Sequence, residues 1–199
     1  MTEERARHDS LTERKRRRAK DAIRQAAVDL FAERGFDAVS VTDIAERAEV
    51  GRTTFFRYFG DKQEVLFSDP AEAVEAALTG TSAPAERIGE STDAALAAAR
   101  RLVVDYLDGI TSDPADYERH QQLVNSNPEL YARSLVKQRR LAAELTSQLR
   151  SWGATPAIAR QAAEIGLACY YAGQATARDD PRVLVRHVER AFDRIRGRR

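Results

Sequence analysis

The sequence predicts an all-α protein: an N-terminal three-helix domain followed by a larger helical domain, about nine helices in all. Three observations predict it. Apolar residues recur at spacings of three and four through nearly every segment, and the alternation of a half-buried strand is absent. Start signals repeat along the chain, with Ser112-Asp113-Pro114, Asn127-Pro128, Thr155-Pro156 and Asp180-Pro181 each placing a proline where a first helical turn tolerates it. A length of 199 residues, with 32 Lys and Arg against 31 Asp and Glu, holds one or two domains and a sizeable core. No run of 18 apolar residues suggests a membrane span, and the first residues lack the apolar stretch of a secretory signal. The single cysteine, Cys169, excludes an internal disulfide framework and a cysteine-only metal site. The expectation is a soluble cytoplasmic protein that makes no use of a membrane.

Taken in order, Ser10-Leu-Thr-Glu13 has the form of a capping box, so helix 1 is expected to start near Leu11. Its apolar face is Ile23, Ala26, Ala27, Leu30 and Phe31, and Gly35 ends it as a left-handed cap. Ser40 caps helix 2, which buries Val41, Ile44, Ala45 and Ala48. Glu49-Val50-Gly51 is a turn, with Val50 dropping between two helices, and Arg52 to Phe59 forms helix 3. Asp61 and Glu64 open helix 4. Asp69-Pro70 interrupts it, which predicts a short segment over 61–68 and a restart over 70–79. Gly80 to Pro84 is a loop. Helix 5 then runs to Asp108, helix 6 from Pro114 to about Asn125, helix 7 from Pro128 to Trp152, helix 8 from Pro156 to about Thr176, and helix 9 from Pro181. The domains expected are a basic arm and helix start over 1–18, a helix-turn-helix domain over 19–67, and a C-terminal domain over 68–199.

Helix 3 carries Arg52, Thr53, Thr54, Arg57 and Tyr58 between packing aromatics, chemistry suited to a major groove, where Arg reads guanine edges. An ordinary helical hairpin with a solvated polar face has the same periodicity. The specific residues separate the two. Gly35-Phe36, the Val-Thr-Asp-Ile-Ala run from Val41, the Thr54-Phe55-Phe56-Arg57-Tyr58-Phe59 run, and Asp61-Lys62 with Val65-Leu66 behind it resemble the N-terminal domain of the TetR family of transcriptional regulators. The match covers about residues 15–67; the remainder is similar only in length and helical layout.

The resemblance implies a homodimer that binds a palindromic double-stranded DNA operator and is released by a small-molecule effector. It assigns base reading to Thr42, Arg52, Thr53 and Thr54, with Phe56, Tyr58 and Lys62 nearer the backbone. Two departures stand out: Phe56 replaces a frequent Tyr, and Glu49 replaces a frequent turn glycine. The Thr-Phe-Phe-Arg-Tyr-Phe variant looks like an actinobacterial subgroup. Ahead of the domain, Arg14-Lys15-Arg16-Arg17-Arg18 is either a solvated arm or a phosphate or minor-groove contact through Arg16, Arg17 and Arg18.

For the C-terminal domain the resemblance implies an effector pocket among helices 4 to 8, with Tyr106, His120, Val124, Tyr131, Leu135, Arg139, Cys169 and Tyr170 as candidate lining residues. His120 and Arg139 point to an acidic or acyl-type ligand. It also implies pairing of the last two helices as a four-helix bundle. Ala162, Gly166 and Gly173 would let helices approach, and Leu184, Val188, Phe192 and Ile195 supply an apolar stripe that covers either a partner or the monomer's own core. The second reading of the chain is an effector-less dimeric DNA-binding or corepressor-type protein. His8, His120 and His187 are too scattered for a metal site, and neither a glycine-rich phosphate loop nor a nucleophile elbow is present. No enzyme activity, metal or cofactor is expected.

Overall fold

The computed structural model describes residues 2–178 and 180–197, with side chains from residue 14 onward except those of residues 69 and 70. The described residues form ten helices: α1 (Thr2–Arg34), α2 (Val41–Arg47), α3 (Arg52–Tyr58), α4 (Lys62–Leu66), α5 (Ser68–Gly80), α6 (Thr92–Ile110), α7 (Pro114–Ser126), α8 (Pro128–Ser151), α9 (Pro156–Ala177) and α10 (Pro181–Ile195). Among them the single extended pairing is an isolated bridge between Gly89 and Ala154. The count exceeds nine because the expected fourth helix is two. The break falls at Phe67, before the proline, and Pro70 then sits in the first turn of α5, where its missing amide removes no helical hydrogen bond. The chain divides into two compact units, Met1–Ser68 and Asp69–Arg199.

In the first unit, α1 contributes Ile23, Ala26, Ala27, Leu30 and Phe31 to a core closed by Ile44 and Ala45 of α2, Phe55 of α3, Phe59, and Val65 and Leu66 of α4. Gly35 takes φ 77°, and its amide donates to the Phe31 carbonyl at 3.0 Å, which ends α1 in a left-handed cap. α1 begins at Thr2, so Ser10 lies inside the helix instead of capping it; the side-chain contacts of the Ser10–Glu13 box lie outside the described residues. The basic run is therefore helical, and Arg14 to Arg18 are all exposed.

The second unit is organised around α9, which packs on α6, α8 and α10. Two glycines allow the approach. A Cβ on Gly173 would meet the Val188 backbone nitrogen at 2.8 Å, and one on Gly166 would meet Val103 and Phe192 at 3.5 and 3.7 Å. Side chains of Asp113, Asn127 and Asp180 accept from the first amides of α7, α8 and α10, each with a proline just inside the helix. Arg100 of α6 bridges to Glu189 and Asp193 of α10 at 2.8 and 3.0 Å.

Candidate nucleic-acid interface

The reading head is built from two short helices whose ends are fixed locally. Ser40 and Asp43 form a reciprocal capping box at α2: the Ser40 amide donates to the Asp43 carboxylate at 2.8 Å and the Asp43 amide to the Ser40 hydroxyl at 3.2 Å. Those hydrogen bonds, from the Ser40 hydroxyl first, hold the Asp43 carboxyl below its ordinary range. Arg47 of α2 forms a two-pronged pair with Glu33 of α1 at 3.0 and 2.9 Å. The pair is exposed and adds orientation more than stability.

The turn into α3 runs through Glu49, which adopts φ 54° while its amide donates to Glu46 and that of Val50 to Ala45. A left-handed non-glycine residue costs roughly 1–2 kcal/mol. The acidic side chain at this turn therefore sits on a backbone that glycine would adopt at lower cost.

α3 buries Phe55, with Phe59 immediately behind it at a ring distance of 5.8 Å. Helical geometry then puts Thr53 and Arg57 on the opposite face, with Arg52 and Phe56 beside them, and all four are exposed. Thr54 and Tyr58 lie on its flank, half-buried. Thr42 is exposed at the start of α2. Arg57 was named on the polar side of helix 3 but not among the principal contact residues. Its guanidinium lies 5.0 Å over the Tyr58 ring, and its position four residues after the exposed Thr53 is the signal that places it on the exposed face. Phe56 is 49% exposed, an apolar ring on the outer side of α3.

Lys62 does something other than expected. Its ammonium donates to the Phe36 and Val39 carbonyls at 2.8 and 2.9 Å and lies 4.3 Å above the Phe36 ring. Two of its three donors thus tie α4 to the loop between α1 and α2. Spacing alone places a lysine at a helix start and cannot reveal that two carbonyls point at it.

The C-terminal expectations need larger corrections. Tyr131, Leu135 and Arg139 face solvent, because the first half of α8 turns that side outward, and Arg139 pairs with Glu164 at 3.2 Å. Val124, Cys169 and Tyr170 are buried, and Tyr106 and His120 are partly so. Burial pushes the Cys169 thiol up to about 11, which makes it an inert packing group. An open depression of about 680 Å³ lies beside α7 and the α9–α10 turn, lined by Glu118, Gln121, Arg178 and Arg182 among others; it contains none of the expected pocket residues. Ala162, Gly166, Gly173, Leu184, Val188 and Phe192 are buried within the monomer, where α10 covers α9 and α6, and so are unavailable to a partner. Ile195 alone of that set is exposed. The outer face of α9 instead shows Ala157, Gln161, Ala168, Tyr171, Ala172 and Ala175.

Known proteins match this organisation. The profile of the tetR family of bacterial regulatory proteins covers residues 23–68. The HTH-type transcriptional regulator TcmR of Streptomyces glaucescens is 31% identical over 140 residues, 68% of this chain and 60% of its own length. The HTH-type transcriptional repressor Rv3405c of Mycobacterium tuberculosis is 42% identical over 74 residues, 36% of this chain and 39% of its own. The matched stretch thus spans 60% or less of these curated relatives. They are transcriptional regulators, not enzymes. Two solved structures share the fold: a SmeT–triclosan complex, at 16% identity with a TM-score of 0.57 over 88% of each chain, and a TetR-like transcriptional regulator from Rhodococcus sp. RHA1, at 20% identity with a TM-score of 0.50 over 90% of this chain and 97% of that one. Residues 23–68, from within α1 to the start of α5, thus match the tetR family of bacterial regulatory proteins, and the curated relatives similar to the chain are HTH-type transcriptional regulators.

Proposed function

We propose that the protein is a cytoplasmic, homodimeric repressor that reads a palindromic operator with α3 and leaves it when a small molecule binds the C-terminal unit. The observation that carries the reading is the two-sided α3: Phe55 is buried, and Arg52, Thr53, Phe56 and Arg57 share the exposed face. Arg52 reads a guanine edge, Thr53 a base or phosphate, and Phe56 packs on a thymine methyl group. Thr42, Thr54, Tyr58 and the cationic turn at Arg16, Arg17 and Arg18 contact the backbone. Lys62 positions the head from inside. A relative that is a repressor and a structural neighbour that holds triclosan support the repressor and ligand parts. Relatives in Streptomyces and Mycobacterium favour the actinobacterial subgroup.

Dimerisation proceeds through the outer face of α9, where Ala157, Gln161, Ala168, Ala172 and Ala175 form a strip whose flanking charges, Arg160 and Glu164, pair with each other. A two-fold pair sets two α3 helices about 34–36 Å apart on successive major grooves. The effector then favours a spacing that mismatches the half-sites, and a 100-fold release requires ~2.7 kcal/mol of differential binding. Footprinting on the DNA upstream of its own gene and its chromosomal neighbours tests the reading. A protected two-fold repeat with two dyad-related halves is expected, and sequence-independent coverage would contradict it. Ala168→Glu is expected to give a monomer by light scattering with unchanged helicity.

A further inference from the structure

The turn between α2 and α3 orders its residues in a way that stability does not explain. Glu49 takes φ 54°, fixed by its own amide donating to the Glu46 carbonyl at 3.1 Å and that of Val50 to the Ala45 carbonyl at 2.9 Å. Two residues later Gly51 has φ −72°, a value any residue adopts, and a Cβ there would meet nothing within 4 Å. Glycine thus stands where the backbone does not require it, and glutamate where glycine would be easier. Nothing local compensates Glu49. Its side chain is exposed, and among the described residues it has neither an ion-pair partner nor a hydrogen bond. Arg47 is engaged by Glu33 through two hydrogen bonds, and Arg52 makes no ion pair with Glu49. A carboxylate just past the end of α2 also meets the negative end of the helix dipole, which disfavours it. Strain kept without local return is the mark of a residue held for function.

The surroundings indicate what that function concerns. A glycine in open space lets another molecule approach the backbone closely. The turn leads directly into α3, and the first residues of the second helix in such motifs reach base edges. Gly51 and Glu49 therefore lie beside the DNA that α3 enters. We propose that Glu49 is a specificity-determining residue of the reading head: its carboxylate opposes complexes in which the turn presses on the phosphate backbone. It weakens binding to non-matching DNA more than binding to the operator. The inference rests on the reading above in which α3 recognises an operator. Non-matching DNA is held almost wholly by charge and in many registers, so some of its poses bring Glu49 against phosphates. Repulsion between them acts over about 8–10 Å at ordinary salt. On the operator, contacts to base edges select one register, in which the carboxylate stands clear of the phosphates.

The test uses the full-length protein with Glu49→Gln, Glu49→Asp and Glu49→Gly. Binding is measured to the footprinted operator and to a scrambled duplex of the same composition, from about 50 to 200 mM salt. Glu49→Gln is expected to bind the scrambled duplex about three- to tenfold tighter at low salt, and the operator less than about twofold tighter. The gain fades as salt rises. Glu49→Asp keeps the charge on a residue that tolerates this backbone, and keeps the wild-type discrimination. Glu49→Gly loses discrimination as Glu49→Gln does while its Tm rises by about 2–4 °C, which separates the effect from misfolding. Equal gains on both duplexes, or no gain on either, would overturn the inference and leave the operator reading intact. So would a loss confined to one base pair of the operator, which would make Glu49 a direct base contact. A wild-type protein that does not distinguish the two duplexes would overturn both.

Discussion

The two units use the same material, amphipathic helices with capped ends, but they hide their functional surfaces to different degrees. In the N-terminal unit each short helix has one apolar face, so the residues opposite it are outside: once Phe55 is buried, Thr53 and Arg57 are exposed. In the C-terminal unit α9 carries small residues on two sides, with Ala159, Ala163, Gly166 and Gly173 on one and Ala157, Ala168, Ala172 and Ala175 on the other. A helix of that kind does not reveal which face meets its own core and which meets a partner. The lesson is that motif chemistry is legible where polarity differs between faces, and illegible where it does not.

The sharpest way to break the comparison is Phe192→Ala. If the α10 stripe belongs to the monomer's core, truncation costs about 3–5 kcal/mol. The loss is then independent of protein concentration in thermal unfolding. A variant that merely dissociates on dilution while staying folded would return Phe192 to the subunit interface.

Lys62→Met comes next in size. It keeps the stem over Phe36 and removes the ammonium, at a cost of roughly 1.5–3 kcal/mol for the charge-assisted bonds to the Phe36 and Val39 carbonyls. Unfolding of the N-terminal unit should move to lower denaturant while the salt dependence of operator binding keeps its slope. A slope shallower by ~0.9 would instead identify a phosphate contact.

These two variants mark what the sequence made legible. Helix order, the caps at Ser40, Asp113, Asn127 and Asp180, and the polar side of α3 all follow from local chemistry. The inward turn of Lys62, the left-handed Glu49 and the outward face of Leu135 depend on where distant backbone and neighbouring helices happen to lie. No periodicity contains that information. The same reason explains why the stripe on α10 was legible as a stripe but not as a core.

Ser40→Ala has a smaller effect, about 1 kcal/mol from the lost cap, and it carries a pH signature. The Asp43 pKa is depressed by Ser40, so its contribution is present above the unfolded pKa and is lost as pH falls through the lower folded value. The stability difference between wild type and Ser40→Ala should therefore narrow as the solution is acidified below about pH 4. A difference that stays constant down to pH 2 would remove the carboxylate from the cap.

The central claim is that α3 reads sequence, and operator binding by Arg52→Ala measures it most directly. Affinity for the footprinted site and for single-base permutations of each half-site would be compared at one salt concentration. The expected result is a loss of ~1–3 kcal/mol on the native operator, with discrimination flattened at one base pair in each half and retained elsewhere. An equal loss on every permutation would make Arg52 a backbone contact and contradict the account.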